Sequence, residues 1–157
     1  MDNLYLILFS LYIFIFYNTY TYFSFGLLPS ISDSYYHLDK KYNMIFTFFI
    51  WFFIIPIMIV GSTPLLFFAG AFIGFVGASP KFREKTDKHV HNIGAIGGIL
   101  FSILSLIFDF KLWYVSLFLI VTYIVLNLLK YENKIYVIEV LTFLIIIFVL
   151  IYYRILV

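Results

Sequence analysis

Six long apolar stretches, separated by short polar segments, constrain this chain more than any other feature of its sequence. A helix needs roughly 20 apolar residues to cross the hydrocarbon core of a bilayer, which is about 30 Å thick. The stretches that meet or approach this length cover residues 4–25, 44–60, 64–78, 90–108, 112–129 and 135–153. They predict an all-α, polytopic bundle of six transmembrane helices, in which residues 1–157 form a single transmembrane domain.

Lipid is the medium that this composition requires. Hydrophobic residues make up 64% of the chain and charged residues only 11%, whereas an ordinary soluble domain carries about 25% charged residues. The stretches are too long and too uniform for transmembrane strands, which alternate over about 10 residues. We therefore expect membrane lipids as partners. The first stretch follows no basic leader sequence, so we expect a retained span and not a cleaved signal peptide.

The basic residues divide unequally between the two sets of loops. Loops 1, 3 and 5 are residues 26–43, 79–89 and 130–134, and they hold Lys40, Lys41, Lys81, Arg83, Lys85, Lys88, Lys130 and Lys134. The opposite set holds only Lys111 and Arg154. The positive-inside rule then predicts that loops 1, 3 and 5 are cytoplasmic and that both termini lie outside. A net charge of +2 is too small for a nucleic-acid footprint, so no nucleic-acid partner is expected.

Two pairs of glycines predict close helix packing in the middle of the chain. Gly70 and Gly74 lie four residues apart in the third stretch, and Gly94 and Gly98 repeat this spacing in the fourth. Small residues at this spacing let two helix backbones approach closely in a membrane. We expect spans three and four to be the closest pair. The alternative is that these glycines join two chains, either as a homo-oligomer or with another membrane protein.

Polar residues gather near three helix ends that the predicted topology places at one membrane face. Candidate catalytic residues are Ser32, Asp33, His91 and Glu139, and candidate ligand-binding residues are Ser30, His89 and Asn92. Glu139 is the one acidic residue inside a predicted span, about one turn from its end. Carboxylates in a span usually face the bundle interior and find a partner there. We expect Glu139 to approach the first-loop serines.

Two chemistries fit this set of residues. Ser32, His91 and Asp33 supply the residue types of a nucleophile, its base and an orienting carboxylate for acyl transfer. Alternatively, Asp33, His89, His91 and Glu139 could bind a divalent metal that activates water. His89 and His91 are two residues apart, so on a helix they point in different directions, unlike a strong zinc motif. The chain has no cysteine, and its sequence identifies neither a metal nor a cofactor.

Each of these residues also has a purely structural interpretation. A histidine at the end of a span can cap the helix or contact headgroups. Ser32 and Asp33 can serve a turn or a helix cap. Glu139 can pair with Lys134 or extend toward the interface.

Two short motifs resemble the Frag/DRAM/Sfk family of polytopic membrane proteins. The first is Pro29-Ser30-Ile31-Ser32-Asp33 after span one, and the second is His91-Asn92-Ile93-Gly94-Ala95 at the start of span four. The resemblance implies about six spans, and it implies motif roles for Ser32, Asp33, His91, Gly94 and Ala95. The family includes proteins linked to GPI-lipid remodelling, autophagy and plasma-membrane lipid organisation. It places the first loop on the lumenal or outer side, which leaves the absolute orientation open.

Three functional hypotheses follow from these features. The leading one is a membrane protein without transport activity that engages lipid or a membrane partner through loop 1 and the start of span four. No series of charges runs through the spans, as an ion pathway would require. The second is a membrane-embedded lipid hydrolase or acyltransferase that uses Ser32, Asp33 and His91. The third, suggested by size and composition, is a holin-like or accessory phage protein.

Overall fold

The computed structural model describes residues 2–61 and 63–156, and every regular element within these ranges is helical. Six long helices coincide with the six apolar stretches, which confirms the all-α prediction. The elements are α1 (Asp2–Phe25), a 3-10 helix (Ile31–Asp33), α2 (Ser34–His37), α3 (Met44–Val60), α4 (Pro64–Ala78), α5 (Lys85–Phe108), α6 (Trp113–Leu128) and α7 (Lys134–Leu156).

The six long helices differ in whether they could cross a bilayer. Three qualify by length and composition, namely Asn3–Phe25 in α1, Asp87–Phe108 in α5 and Lys134–Ile155 in α7. The helices α3, α4 and α6 have 17, 15 and 16 residues, which at 1.5 Å per residue gives about 23 to 26 Å. This is less than the hydrocarbon core of about 30 Å. The predicted count of six spans is therefore not confirmed.

The start of α5 differs from the prediction, since this helix begins at Lys85 and not at residue 90. Glu84 is extended, with φ −80° and ψ 141°, and Asp87 lies in the first turn. An acidic side chain there is favoured by the positive end of the helix dipole. The polar segment that was expected to be loop is thus helical, and both His89 and His91 lie inside α5.

Local sequence signals explain the start of α4. Pro64 occupies the first turn, where a missing backbone N–H removes no helical hydrogen bond. The side-chain oxygen of Thr63 accepts a hydrogen bond from the backbone N–H of Leu66 at 3.3 Å. The predicted tight turn of residues 61–63 includes Ser62, which lies outside the described residues.

Aromatic side chains form the centre of the bundle, where α1 packs on α3 and α7. The rings of Phe14, Phe53 and Phe143 contact one another with centroids 5.0 to 5.8 Å apart. Nearby, Tyr17 stacks on Phe49 with centroids 3.9 Å apart. Ring pairs add about 0.5–1.5 kcal/mol each beyond the area that they bury, so this cluster fixes how the three helices meet.

The glycine pairs serve two different helix contacts. The most extensive packing is between α4 and α5, as predicted for spans three and four. A Cβ added at Gly94 would lie 2.7 Å from the carbonyl oxygen of Phe72, and one at Gly98 would strike Ile73. Gly70 and Gly74 face α3 instead, against Met58 and Trp51. Each pair thus has a partner within the same chain.

Candidate functional site

Loop 1 lies along the first turns of α7, at the end of the bundle where loops 1, 3 and 5 meet. The Asn133 side chain donates a hydrogen bond to the carbonyl of Leu27 at 3.4 Å. The backbone N–H of Tyr136 donates to the carbonyl of Pro29 at 3.1 Å. The first N–H groups of a helix have no partner within that helix, so loop 1 supplies an acceptor that the start of α7 needs.

Glu139 fixes the next residue of this loop. Its carboxylate is buried and accepts a hydrogen bond from the backbone N–H of Ile31 at 2.7 Å. The prediction that Glu139 meets loop 1 is confirmed, but its partner is a backbone amide and not Lys134. The ammonium group of Lys134 donates instead to the side-chain oxygen of Asn127 at 2.6 Å. Ser32 and Glu139 also line one internal cavity of about 20 Å³, which is large enough for about one water molecule.

Hydrogen bonds within loop 1 give it a rigid shape. The hydroxyl of Ser30 accepts from the backbone N–H of Asp33 at 3.2 Å and donates to the Asp33 carboxylate at 2.9 Å. Ser30 therefore caps the 3-10 helix, because its side chain satisfies a backbone N–H of the first turn. The hydroxyl of Ser34 donates to the carbonyl of Ile31 at 2.6 Å. The hydroxyl of Tyr17 on α1 lies 2.6 Å from the Ser34 hydroxyl and is hydrogen-bonded to it. Ser30 and Asp33 therefore have a structural role in addition to any binding role.

Arg83 connects loop 3 to loop 1. Its guanidinium group donates to the Asp33 carboxylate at 3.1 Å and lies over the Tyr36 ring, 4.2 Å from the ring centroid. The backbone N–H of Arg83 donates to the Tyr36 hydroxyl at 2.7 Å. These contacts hold the first and third loops against each other at one end of the bundle.

His91 joins the same set of contacts from α5. Its ring is buried, stacks on Phe82 with centroids 4.6 Å apart, and places Nδ1 2.9 Å from the carbonyl oxygen of Ser79. Phe82 in turn packs edge-on against Tyr36 at 5.1 Å. We call this connected set, Asp33, Tyr36, Phe82, Arg83 and His91, the Arg83 junction.

The structure brings together some of the predicted site residues but does not form a triad. Asp33 bonds Ser30 and Arg83, while His91 bonds the Ser79 carbonyl. No hydrogen bond links Ser32, Asp33 and His91 to one another in the described part of the chain. Within residues 2–61 and 63–156, no group of three or more His, Asp or Glu side chains could hold a metal ion.

His89 and Asn92 lie apart from this group. Both are exposed, whereas His91 is buried, which confirms that the two histidines point in different directions. A helix turns by about 100° per residue, so neighbouring positions on α5 face different surroundings.

Sequence reasoning assigned Arg83 only to the positive charge of loop 3, and it did not identify Tyr36 or Phe82. One signal was present, because Arg83 is an arginine among lysines. A guanidinium group is planar, so it can bond a carboxylate and stack on a ring at the same time, as a lysine cannot. The choice of arginine at this one position therefore indicated a specific contact.

An open pocket lies beside the Arg83 junction, between loops 1 and 3. It has a volume of about 450 Å³ and is lined by Tyr35, Tyr36, Leu38, Lys40, Asn43, Lys81 and Glu84. We call it the loop-end pocket. Two of its lining residues are lysines, on opposite loops, and two are tyrosines. Its walls thus combine positive charge with groups that can hydrogen-bond a polar ligand.

Comparisons with protein-family models, with curated proteins and with solved structures found no match for this chain. The resemblance to the Frag/DRAM/Sfk family stays a prediction from the two motifs.

Proposed function

We propose that this chain is a six-span integral membrane protein without transport activity that binds anionic lipid headgroups at its loop-end pocket, on the cytoplasmic side. The observation that carries the proposal is the Arg83 junction. Its contacts hold loops 1 and 3 against each other, and so keep Lys40 of loop 1 and Lys81 of loop 3 in the lining of one pocket.

The outer surface of the three shorter helices supports their placement in lipid. Large apolar side chains stand exposed on each of them, for example Ile59 on α3, Phe67 on α4 and Phe118 on α6. Contiguous apolar surface of this kind is rare on soluble monomers. A helix shorter than the bilayer core can be accommodated by local thinning, which costs a fraction of a kcal/mol per Å. Lengths of about 23 to 26 Å are compatible with that adjustment.

The charge of the loop-end pocket favours an anionic ligand. Lys40 and Lys81 contribute two positive charges, and Glu84 contributes one negative charge but pairs with Lys81 at 3.7 Å. Each lysine close to an anionic membrane surface contributes about 1 kcal/mol of attraction. The hydroxyl and amide groups of the tyrosines and of Asn43 can hydrogen-bond phosphate or glycerol oxygens. A phosphate-bearing headgroup at the interface meets all of these groups.

The test is lipid selectivity in nanodiscs that contain equal amounts of phosphatidylglycerol and phosphatidylcholine. Lipids retained after mild delipidation are counted by native mass spectrometry. The Lys40→Gln/Lys81→Gln variant should retain about thirtyfold less phosphatidylglycerol than the wild type, because two lysines at about 1 kcal/mol each contribute about 2 kcal/mol and every 1.4 kcal/mol is tenfold. The matched control is Lys111→Gln/Arg154→Gln, which removes the same charge on the opposite side of the membrane in the predicted topology. Equal retention by the two double variants would contradict the proposal, as would co-purification of a protein in place of lipid.

A further inference from the structure

Another cavity opens on the side of the bundle, between α5, α6 and α7. It has a volume of about 350 Å³. Its lining is aliphatic apart from the hydroxyl-bearing Tyr123 and Thr142, and it includes Ile96, Leu100 and Ile103 on α5, Leu119 and Ile120 on α6, and Ile138 on α7. We call this cavity the lateral cleft. It is distinct from the loop-end pocket, with which it shares no lining residue.

The lateral cleft exists because α6 packs on the bundle over only part of its length. Ser116 and Leu119 are the buried residues of this helix. Further along the helix, large apolar side chains such as Ile124, Val125 and Leu128 are exposed. The second half of α6 therefore packs less closely on α5 and α7 than the first half does, and a gap remains between the three helices.

Polar groups continue each wall of the cleft toward the end where loops 3 and 5 lie. On α5, His89 and Asn92 are exposed. They lie on the same face of the helix as Ile96, because positions 89, 92 and 96 are three and four residues apart. Between α6 and α7, Lys134 bonds Asn127 at 2.6 Å. Lys134 lies one turn from Ile138 on α7, and Asn127 lies one turn from Tyr123 on α6. The positive charge of Lys134 therefore lies at the mouth of an apolar cleft.

We propose that the lateral cleft binds one acyl chain of an anionic phospholipid, with the phosphate at the mouth beside Lys134. This inference rests on the membrane embedding proposed above, but not on ligand binding at the loop-end pocket. The aliphatic walls match a hydrocarbon chain, and Lys134 matches the charge of the headgroup. His89 and Asn92, the predicted ligand-binding residues that stand away from the Arg83 junction, then line the headgroup end of this site.

The size of the cleft argues against a protein occupant. A helix with its side chains is about 10–12 Å across, which is far more than a cleft of about 350 Å³ can enclose. Cavities of roughly 300–1,000 Å³ are the usual size for small ligands. The net charge of loop 5, at the mouth, is also positive, because this loop holds two lysines, Lys130 and Lys134, and one acidic residue, Glu132.

The test uses phosphatidylglycerol that carries a photoreactive diazirine in one acyl chain, in nanodiscs of phosphatidylcholine. After irradiation, cross-linked peptides are mapped by mass spectrometry. We expect labels concentrated on the facing walls of the cleft, at Ile103 and Leu119. Unlabelled phosphatidylglycerol should reduce this labelling several-fold more than equal amounts of phosphatidylcholine or palmitate.

Variants separate the cleft from the rest of the lipid-facing surface. Ile120→Trp and Leu100→Trp, each at a partly exposed lining residue, should fill the cleft and reduce its labelling several-fold. Val125→Trp places the same side chain on another face of α6 and should leave the labelling unchanged. Lys134→Gln should remove the preference for phosphatidylglycerol over phosphatidylcholine, whereas Lys40→Gln/Lys81→Gln should not.

Three results would overturn the inference. They are even labelling of the whole apolar surface, labelling of the cleft that survives both tryptophan variants, and stronger competition by palmitate than by phosphatidylglycerol. Lys40 and Lys81 do not line the cleft. A failure of lipid binding at the lateral cleft is therefore distinguishable from a failure of lipid binding at the loop-end pocket.

Discussion

Single residues decide how closely the helices of this bundle approach one another. Gly94 is the clearest case, because a Cβ there would meet the carbonyl oxygen of Phe72 at 2.7 Å and the backbone nitrogen of Val76 at 3.1 Å. Backbone atoms of a packed helix cannot move aside as a side chain can. Gly74 differs, since its added Cβ would approach only the ring edge of Trp51 at 3.3 Å.

We therefore expect Gly94→Ala to destabilise the protein by about 1–3 kcal/mol, the usual cost of overpacking. Gly74→Ala makes the same chemical change and should cost clearly less. Reversible unfolding in mixed detergent micelles measures both. Equal losses of stability would show that the backbone contact at Gly94 does not limit the approach of α4 and α5.

Glu139 is a buried carboxylate that satisfies a backbone amide of loop 1. A buried backbone N–H without a partner costs about 1–3 kcal/mol, and the Glu139 carboxylate is the acceptor for the N–H of Ile31. A glutamine retains a side-chain oxygen at the same distance from the backbone, whereas a leucine has none.

Glu139→Leu should lower stability by about 1–3 kcal/mol through the orphaned Ile31 amide, while Glu139→Gln should lie within about 1 kcal/mol of the wild type. Hydrogen exchange gives the direct readout, because the Ile31 amide should exchange faster in the leucine variant and not in the glutamine variant. Unchanged protection of Ile31 in Glu139→Leu would refute the role assigned to this hydrogen bond.

At the scale of elements, loops at one end are tied to one another and to α7. Loop 1 is attached to the start of α7 by the hydrogen bonds of Leu27, Pro29 and Ile31. Among the charged side chains of loop 3, Arg83 is the one with an ion pair to loop 1 in the described part of the chain. Arg83 is more than half exposed, at 59%. Its ion pair with Asp33 is therefore worth at most about 1 kcal/mol, with a similar amount from its position over Tyr36.

Arg83→Gln should thus release loop 3 without unfolding the bundle. The chain has no cysteine, so spin labels attached to cysteines introduced at Lys40 on loop 1 and Lys81 on loop 3 report on this pair of loops alone. We expect the distribution of label distances to broaden in Arg83→Gln and to stay narrow in Lys85→Gln, which removes the same charge nearby. A narrow distribution in both variants would mean that contacts other than the Arg83 junction hold the loops together.

At the scale of the whole molecule, two arrangements differ in the number of helices that cross the membrane. Length and composition support α1, α5 and α7, while our proposal adds α3, α4 and α6. The two arrangements differ at Lys130. With six spans Lys130 and Lys111 lie on opposite sides, and with three spans they lie on the same side, because α6 would not cross between them.

Single cysteines distinguish these arrangements in sealed vesicles treated with a membrane-impermeant maleimide. We expect Lys40→Cys, Lys85→Cys and Lys130→Cys to react from the cytoplasmic side, and Lys111→Cys and Arg154→Cys only from the other. The cysteine-free wild type is the control for labelling. Reaction of Lys111→Cys and Lys130→Cys from one side would disprove six spans, and separation of Lys40→Cys from Lys85→Cys would contradict the Arg83 junction.

The sequence by itself determined the helices of this protein and most of their bounds. In an apolar medium each backbone group must find its partner nearby, and a helix provides these partners within one segment. For that reason the apolar stretches predict helices, Pro64 marks the start of α4, and the spacing of His89 and His91 predicts that they face different ways. The polar start of α5 was missed because its residues suit a loop as well as a helix end.

Only the tertiary structure decided which partners these elements find. Glu139 bonds an amide 108 positions away in the chain, and Arg83 bonds a carboxylate 50 positions away. No local pattern specifies such pairs, because they depend on how α1, α5 and α7 pack side by side. The same holds for the lateral cleft, which exists because α6 packs less closely on its neighbours after Leu119. The composition of α6 alone does not distinguish a closely packed helix from one that leaves a cleft beside it.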